Sequence, residues 1–160
     1  MNTTATPAGA NSGAFSSLPL PPHTLENLQS LGYTAMTPIQ AASLPLALAG
    51  HDLIAQAKTG SGKTAAFALA LLANLNVRRF AVQSLVLCPT RELAEQVTQE
   101  VRRLARAEDH IKVLTLCGGA TMRPQLASLE HGAHIVRTFK NLSKKTPANR
   151  GNLLLTTVVD

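Results

Sequence analysis

Apolar and polar positions alternate along this chain in blocks that predict strands and helices in turn. Short apolar runs predict buried strands at 53–56 (LIAQ), 84–88 (SLVLC) and 111–116 (IKVLTL), with a fourth opening at 134–136 (HIV). Apolar residues at helical spacing predict intervening helices at about 64–74, 90–106 and 121–131. Strand–helix alternation predicts an α/β fold with a parallel sheet covered by helices on both faces.

Two further helices are predicted before this alternation. Leu25, Leu28 and Leu31 lie on one side of a helix that starts at Thr24 and stops at Gly32. A second helix begins at Thr37-Pro38, because Thr is a good cap and Pro is tolerated in the first turn.

The two ends of the chain differ from its centre. Residues 1–14 are small, polar and uncharged, which predicts a flexible arm. Residues 137–160 form a basic tail that breaks the pattern, although LLLTTVV (153–159) is typical of an edge strand. Residues 15–136 are therefore predicted to form the single domain.

Composition adds modest constraints. The chain has 160 residues, 45% hydrophobic and 15% charged, which is typical of one globular domain. Four of the six net positive charges fall in residues 137–160, so the charge is weak evidence for an RNA partner. Cys88 and Cys117 lie in or beside apolar runs and are interpreted as reduced core residues. No run is long enough to cross a membrane, and a cytoplasmic protein is expected.

The segment AQAKTGSGKT (55–64) has the composition of a phosphate-binding loop. Gly60 and Gly62 allow backbone N–H groups to converge on an anion at the start of a helix. Lys63 would reach the β- and γ-phosphates of a bound nucleotide, and the Thr64 hydroxyl would bind Mg²⁺. Ala57 replaces the first Gly of the general motif. The alternative is a flexible loop without a ligand, and the loop alone leaves kinases, transporters and helicases open.

Three further segments narrow the choice. GYTAMTPIQ (32–40) resembles the Q motif of DEAD-box RNA helicases, PTREL (89–93) resembles their motif Ia, and Gly118-Gly119 resembles their GG motif. With the loop, these motifs resemble the first RecA-like domain of that family over residues 15–136. The finer sequence is closest to the bacterial DbpA branch, whose members act on large-subunit ribosomal RNA. The resemblance implies a P-loop NTPase fold, incomplete at its C-terminal end.

The resemblance also implies a set of ATP-binding residues. Gln40 would contact adenine, Tyr33 would stack on the base and Phe15 would support it. A simpler alternative for Gln40 is a capping box with Thr37, and the two roles are compatible. The residues expected to bind ATP are Phe15, Tyr33, Gln40, Ala57, Lys58, Thr59, Gly60, Ser61, Gly62, Lys63 and Thr64.

An RNA-binding set is implied in the same way. It consists of Pro89, Thr90, Arg91, Gly118 and Gly119, whose N–H, hydroxyl and guanidinium groups suit RNA phosphates. The alternative is that Thr90 only caps its helix and Arg91 is solvated. The basic RRLAR (102–106) is interpreted as a solvated face, and the five histidines show no metal-ligand spacing.

The chain departs from the family pattern after residue 136. The expected T-P-G-R and D-E-A-D sequences are missing, and Asp160 alone remains as a candidate for the first Asp, which binds Mg²⁺. We therefore expect the chain to bind ATP but scarcely to hydrolyse it, and we expect it not to unwind RNA.

Three explanations remain open. The chain is the N-terminal part of a helicase cut short by a frame shift or early stop, a stand-alone non-enzymatic nucleotide-binding module, or a small P-loop kinase. The sequence supports the kinase least. No membrane association and no specific protein partner are inferred.

Overall fold

Four parallel strands form the sheet of this protein. The computed structural model describes residues 13–108, 110–116, 121–139 and 154–157. The strands lie in the order β2-β3-β1-β4, and Ile135 of β3 pairs with Ser84 of β1 and with Val113 of β2. Their bounds are β1 Ser84–Cys88, β2 Val113–Leu116, β3 Ile135–Phe139 and β4 Leu154–Thr157. The predicted parallel α/β fold is confirmed.

Five α-helices accompany the strands within the described residues. They are α1 Pro22–Ser30, α2 Pro38–Leu48, α3 Lys63–Ala73, α4 Arg91–Leu104 and α5 Met122–Glu130. Short 3₁₀ turns at Phe15–Ser17 and Ala105–Ala107 precede α1 and follow α4. Every predicted helix is present within two residues of its expected bounds, and Gly32 ends the first with a φ of +83°.

The core lies between the sheet, α3 and α4. Ala94, Val97 and Val101 repeat at helical spacing on α4 and are fully buried. Val86 and Cys88 present the matching face of β1. Burying each large aliphatic side chain contributes about 1.5–3 kcal/mol, so this face fixes the position of α4 on the sheet.

The strand predicted at 53–56 is wrong. Residues 51–58 form neither helix nor strand, Leu53 is 40% exposed and Ile54 is fully exposed. A parallel strand depends on hydrogen bonds to its neighbours, and none of the four strands pairs with this segment. Apolar character alone therefore did not make it a strand.

The strand predicted to open at 134–136 is present as β3 and continues through Phe139, past the point where the sequence pattern changes. Arg137 and Thr138 are buried although both are polar. Neighbouring strands pair with β3 on both sides, and Nη2 of Arg137 donates a hydrogen bond of 2.7 Å to Oγ1 of Thr115. Pairing in the sheet thus carries the strand past the end of its apolar pattern.

The ring of His134 makes two hydrogen bonds at the end of the sheet where β1 and β3 begin. Its Nδ1 accepts a hydrogen bond of 3.0 Å from the Lys112 N–H, so the ring proton lies on Nε2, which lies 3.0 Å from the Val77 carbonyl. The ring also packs against Phe80, with 5.1 Å between centroids. His134 therefore has a structural role that its sequence context did not indicate.

Two smaller expectations concern the cysteines and membranes. Cys88 is a free, buried thiol, and burial raises its pKa. Cys117 lies outside the described residues. None of the helices in the described ranges has the length and apolar character needed to span a bilayer.

Candidate nucleotide-binding site

The glycine-rich loop leads directly into α3. Gly60 and Gly62 adopt φ values of +78° and +90°, a region that glycine enters without strain. The Ser61 N–H donates to the Lys58 carbonyl at 3.2 Å, which closes a tight turn. Gly62 occupies the N-cap of α3 and offers no side chain to the first N–H groups of the helix. Those groups are a suitable site for an anion.

Lys63 and Ser61 are the two loop residues whose side chains were predicted to bind ATP and whose surroundings are informative. Nζ of Lys63 donates to the carbonyl of Ala57, so the lysine spans the loop from its last residues to its first. Oγ of Ser61 is buried and makes no hydrogen bond to any described atom. A buried hydroxyl of this kind usually has a partner, and a phosphate oxygen would supply one. The donor set of the loop therefore fits the phosphates of a nucleotide.

Gln40 connects α2 to this loop. Its backbone N–H donates to Oγ1 of Thr37 at 3.5 Å and its Oε1 accepts from the Thr37 N–H at 2.9 Å, which completes a capping box. Its Nε2 donates to the Gly62 carbonyl at 3.1 Å. The capping alternative is thus confirmed. Gln40 is only 1% exposed, and whether it also contacts adenine stays a prediction.

Gly62 packs closely against Gln40, so a side chain at this position would have to displace the Gln40 amide. A Cβ on Gly62 would lie 2.6 Å from Nε2 of Gln40 and 3.1 Å from Oγ1 of Thr37. Gly60, by contrast, faces open space. The two glycines therefore differ, since Gly60 needs only its backbone conformation whereas Gly62 also needs the absence of a Cβ.

The two aromatic residues predicted to lie near the base contact each other. Phe15 is buried, Tyr33 is half-buried, and their rings meet edge to face with 6.1 Å between centroids. The Tyr33 hydroxyl donates to Oε1 of Glu100 on α4. Burial, and then this hydrogen bond, raise the pKa of Tyr33 to about 12, and the charge of Glu100 adds to the effect.

The predicted RNA-binding residues are only partly described. Pro89, Thr90 and Arg91 are exposed at the start of α4, where Oγ1 of Thr90 accepts a hydrogen bond of 3.2 Å from the Leu93 N–H. The capping role of Thr90 is confirmed, and its contact with RNA stays a prediction. Gly118, Gly119 and the candidate metal ligand Asp160 lie outside the described residues.

The sequence did not indicate that Glu100 contacts a predicted ATP-binding residue. Its spacing from Arg103 is typical of an ordinary surface ion pair, and the two side chains do form one at 3.5 Å. Its second contact is with Tyr33, 67 positions away, and no local pattern signals it. Across the ranges that the structure describes, no group of three or more His, Cys, Asp or Glu side chains could hold a metal ion.

Comparison with known proteins settles the family. The family model for DEAD/DEAH box helicases matches residues 37–160. The chain belongs to this family. The matched range runs past residue 136 and includes the basic segment whose sequence departs from the expected motifs.

Similar proteins support the same assignment. ATP-dependent RNA helicase DbpA of Escherichia coli is 59% identical over 139 residues, which cover 83% of this chain and 30% of that protein. ATP-dependent RNA helicase DeaD of Buchnera aphidicola is 48% identical over 122 residues, covering 76% of this chain and 20% of the relative. This DEAD-box chain thus spans less than a third of either helicase.

A solved structure agrees with the fold. The DEAD box protein of the hyperthermophile Methanococcus jannaschii superposes with a TM-score of 0.74 at 35% identity, over 79% of this chain and 34% of that one. The predicted RecA-like fold of the N-terminal domain is confirmed.

Proposed function

We propose that this chain binds ATP through loop 57–64 and the segment around Gln40, as the N-terminal domain of a DEAD-box RNA helicase. The hydrogen bond from Nε2 of Gln40 to the Gly62 carbonyl is the observation that carries this proposal. It joins the phosphate loop to the segment that resembles an adenine-binding motif, and it does so at the start of α3, where an anion is stabilised.

Adenine recognition by Gln40 is compatible with its role in the cap. A glutamine amide has two N–H donors and two oxygen lone pairs, and the contacts with Gly62 and Thr37 use one of each. The remaining donor and acceptor match the adjacent acceptor and donor of the adenine edge. Because Gln40 is buried, we propose that a small movement of the loop accompanies binding of the base.

Mg²⁺ is proposed to bind together with the nucleotide. The Thr64 hydroxyl in the first turn of α3 would be the ligand from this chain, with phosphate oxygens supplying others. When bound, the ion would neutralise phosphate charge. Lys63 would exchange its contact with the Ala57 carbonyl for a phosphate oxygen, and the N–H groups in the first turn of α3 would hold the same anion.

Contact with RNA is proposed at the start of α4. The exposed Thr90 and Arg91 offer a hydroxyl and a guanidinium to phosphate oxygens. Glu92 and Glu95 lie on the same exposed part of the helix and oppose an anion, so the contact should be weak. Pro89 is proposed to contact RNA as well, and so are Gly118 and Gly119, which lie outside the described residues. The partner is proposed to be RNA because the similar protein DbpA is named as an RNA helicase.

Hydrolysis is proposed to require more than these 160 residues. Phosphoryl transfer depends on an oriented water and on positive charge at the transition state. A D-E-A-D sequence, whose Glu orients the water, does not occur in the chain. We propose that the chain by itself binds ATP without turning it over.

A titration with a fluorescent ATP analogue tests the proposed binding. Lys63→Ala removes a charged hydrogen-bond donor and should weaken binding about tenfold to a hundredfold. Arg79→Ala is the matched control, because this exposed cation lies in the loop before β1, at the opposite end of the sheet. Equal affinity of the two variants, or no saturable binding by the unaltered chain, would refute the proposal.

A measurement of RNA binding distinguishes the two candidate functions, a helicase domain and a stand-alone nucleotide-binding module. A helicase domain should bind single-stranded RNA with an affinity that falls as salt rises. A module of the second kind would bind nucleotide and show no RNA binding at any salt concentration.

A further inference from the structure

Tyr33 is held by one backbone contact and two side-chain contacts. Its backbone N–H donates to the Leu28 carbonyl at 2.9 Å, its ring meets Phe15 edge to face, and its hydroxyl donates to Oε1 of Glu100. The hydroxyl contact is the one that fixes rotation of the ring toward α4.

Glu100 is itself held in place. Its side chain is 20% exposed, and Oε2 lies 3.5 Å from Nη1 of Arg103. The end of α4 is tied to α1 as well, since Nδ2 of Asn27 donates to the Leu104 carbonyl at 3.0 Å. The carboxylate that receives the Tyr33 hydroxyl is therefore part of a fixed surface.

We propose that Glu100 is a positioning residue that holds the Tyr33 ring in the orientation needed to stack on the base of the nucleotide. This inference rests on the proposed binding of ATP. A ring that is already oriented loses less conformational freedom when the base arrives, so the contact favours binding without touching the nucleotide. Loss of this preorganisation should weaken nucleotide binding about twofold to tenfold.

The test measures nucleotide affinity in three single variants and one double variant. Glu100→Ala and Tyr33→Phe each remove the tie and should weaken binding to the same extent. Combining them should add nothing further, because each already removes the same hydrogen bond. Glu100→Gln retains an acceptor for the neutral phenol and should restore most of the affinity.

Controls separate positioning from a loss of folding. Glu95→Ala removes an exposed carboxylate from the same helix and should leave the affinity unchanged. Urea denaturation of each variant shows that affinities are compared in folded protein. Additive effects of Glu100→Ala and Tyr33→Phe, or unchanged affinity in Glu100→Ala, would overturn the proposal.

A second readout needs no nucleotide. Tyr33 is the only tyrosine and the chain has no tryptophan, so tyrosinate absorbance reports on this residue alone. In the unaltered chain the pKa of Tyr33 is raised to about 12, by burial first and then by Glu100. Glu100→Ala should lower it, though not to the ordinary 10.0, because burial remains.

The two readouts distinguish the two possible failures. Ionisation of Tyr33 near 10.0 in the unaltered chain would disprove the tie to Glu100, whatever the nucleotide affinity. A Tyr33 pKa raised to about 12, without saturable nucleotide binding, would instead disprove the proposed function, and the role of Glu100 with it.

Discussion

At the scale of single residues, the candidate site depends on two glycines with similar backbone angles and different surroundings. Gly60 faces open space, whereas Gly62 packs against the amide of Gln40. The sequence predicted that both allow a phosphate loop. It could not predict which one also needs the absence of a Cβ, because that depends on α2, which is distant along the chain.

Substitution of the two glycines tests this difference. Gly60→Ala should lower the free energy of unfolding by about 1–2 kcal/mol through backbone strain alone. Gly62→Ala adds a clash with Gln40 and should cost about 1–3 kcal/mol more, with a larger loss of nucleotide affinity. Urea denaturation and nucleotide titration of both variants provide the comparison, and equal effects would contradict the packing described.

Tyr33 predicts a dependence of stability on pH. Its pKa is raised from the ordinary 10.0 to about 12, so the folded protein holds the phenol proton more tightly than the unfolded chain. The resulting stabilisation is fully present below pH 10 and is lost as pH rises toward about 12. Tyr33→Phe has no such proton. Between pH 10 and about 12, the unfolding free energy of the unaltered chain should therefore fall relative to that of Tyr33→Phe.

Guanidinium denaturation at several alkaline pH values measures the effect, and the comparison cancels titration of the lysines. A constant difference between the two proteins from neutral pH to about pH 12 would show that the phenol is not held as described.

At the scale of secondary-structure elements, α4 links the two proposed binding surfaces. Its first residues carry Thr90 and Arg91, and its last turns carry the partner of Tyr33. Its apolar stripe was predictable because helical spacing is a local property of the sequence. Its contacts with Tyr33 and Asn27 were not, because they join distant parts of the chain.

Substitutions of the two residues at the start of α4 should have different effects, one on stability and the other on RNA binding. Thr90→Ala removes the cap and should lower the free energy of unfolding by about 0.5–2 kcal/mol, whereas Thr90→Ser should keep it. Arg91→Ala should change stability by less than about 0.5 kcal/mol.

RNA binding supplies the second half of this test. If Arg91 contacts one phosphate of single-stranded RNA, its loss should reduce the slope of log affinity against log salt by about 0.7. An unchanged slope in Arg91→Ala would exclude a phosphate contact and leave Arg91 as a solvated residue.

Secondary structure was predictable where local signals sufficed. The α2 start at Thr37-Pro38 follows from a cap and a first-turn proline, and both operate within a few residues. The strand expected at 53–56 failed because a parallel strand needs a neighbour, and apolar residues do not reveal one. The extent of β3 was not predictable for the converse reason, since pairing on both sides holds the polar Arg137 in the sheet.

At the scale of the whole molecule, the chain is a RecA-like domain that covers about a third of a solved DEAD-box protein. Its loop, its Gln40 contact and its aromatic pair are proposed to bind one nucleotide. Family resemblance predicted this arrangement correctly at the level of the fold. The orientation of side chains within it came only from the structure.

Binding without turnover is the central claim, and one measurement tests it most directly. Fluorescent ATP binding and release of inorganic phosphate are followed in one preparation of the chain, with Mg²⁺ and saturating single-stranded RNA. We predict saturable binding that Lys63→Ala weakens, with phosphate release no faster than in that variant. Release at a rate on the order of 1 s⁻¹ or more would contradict the account.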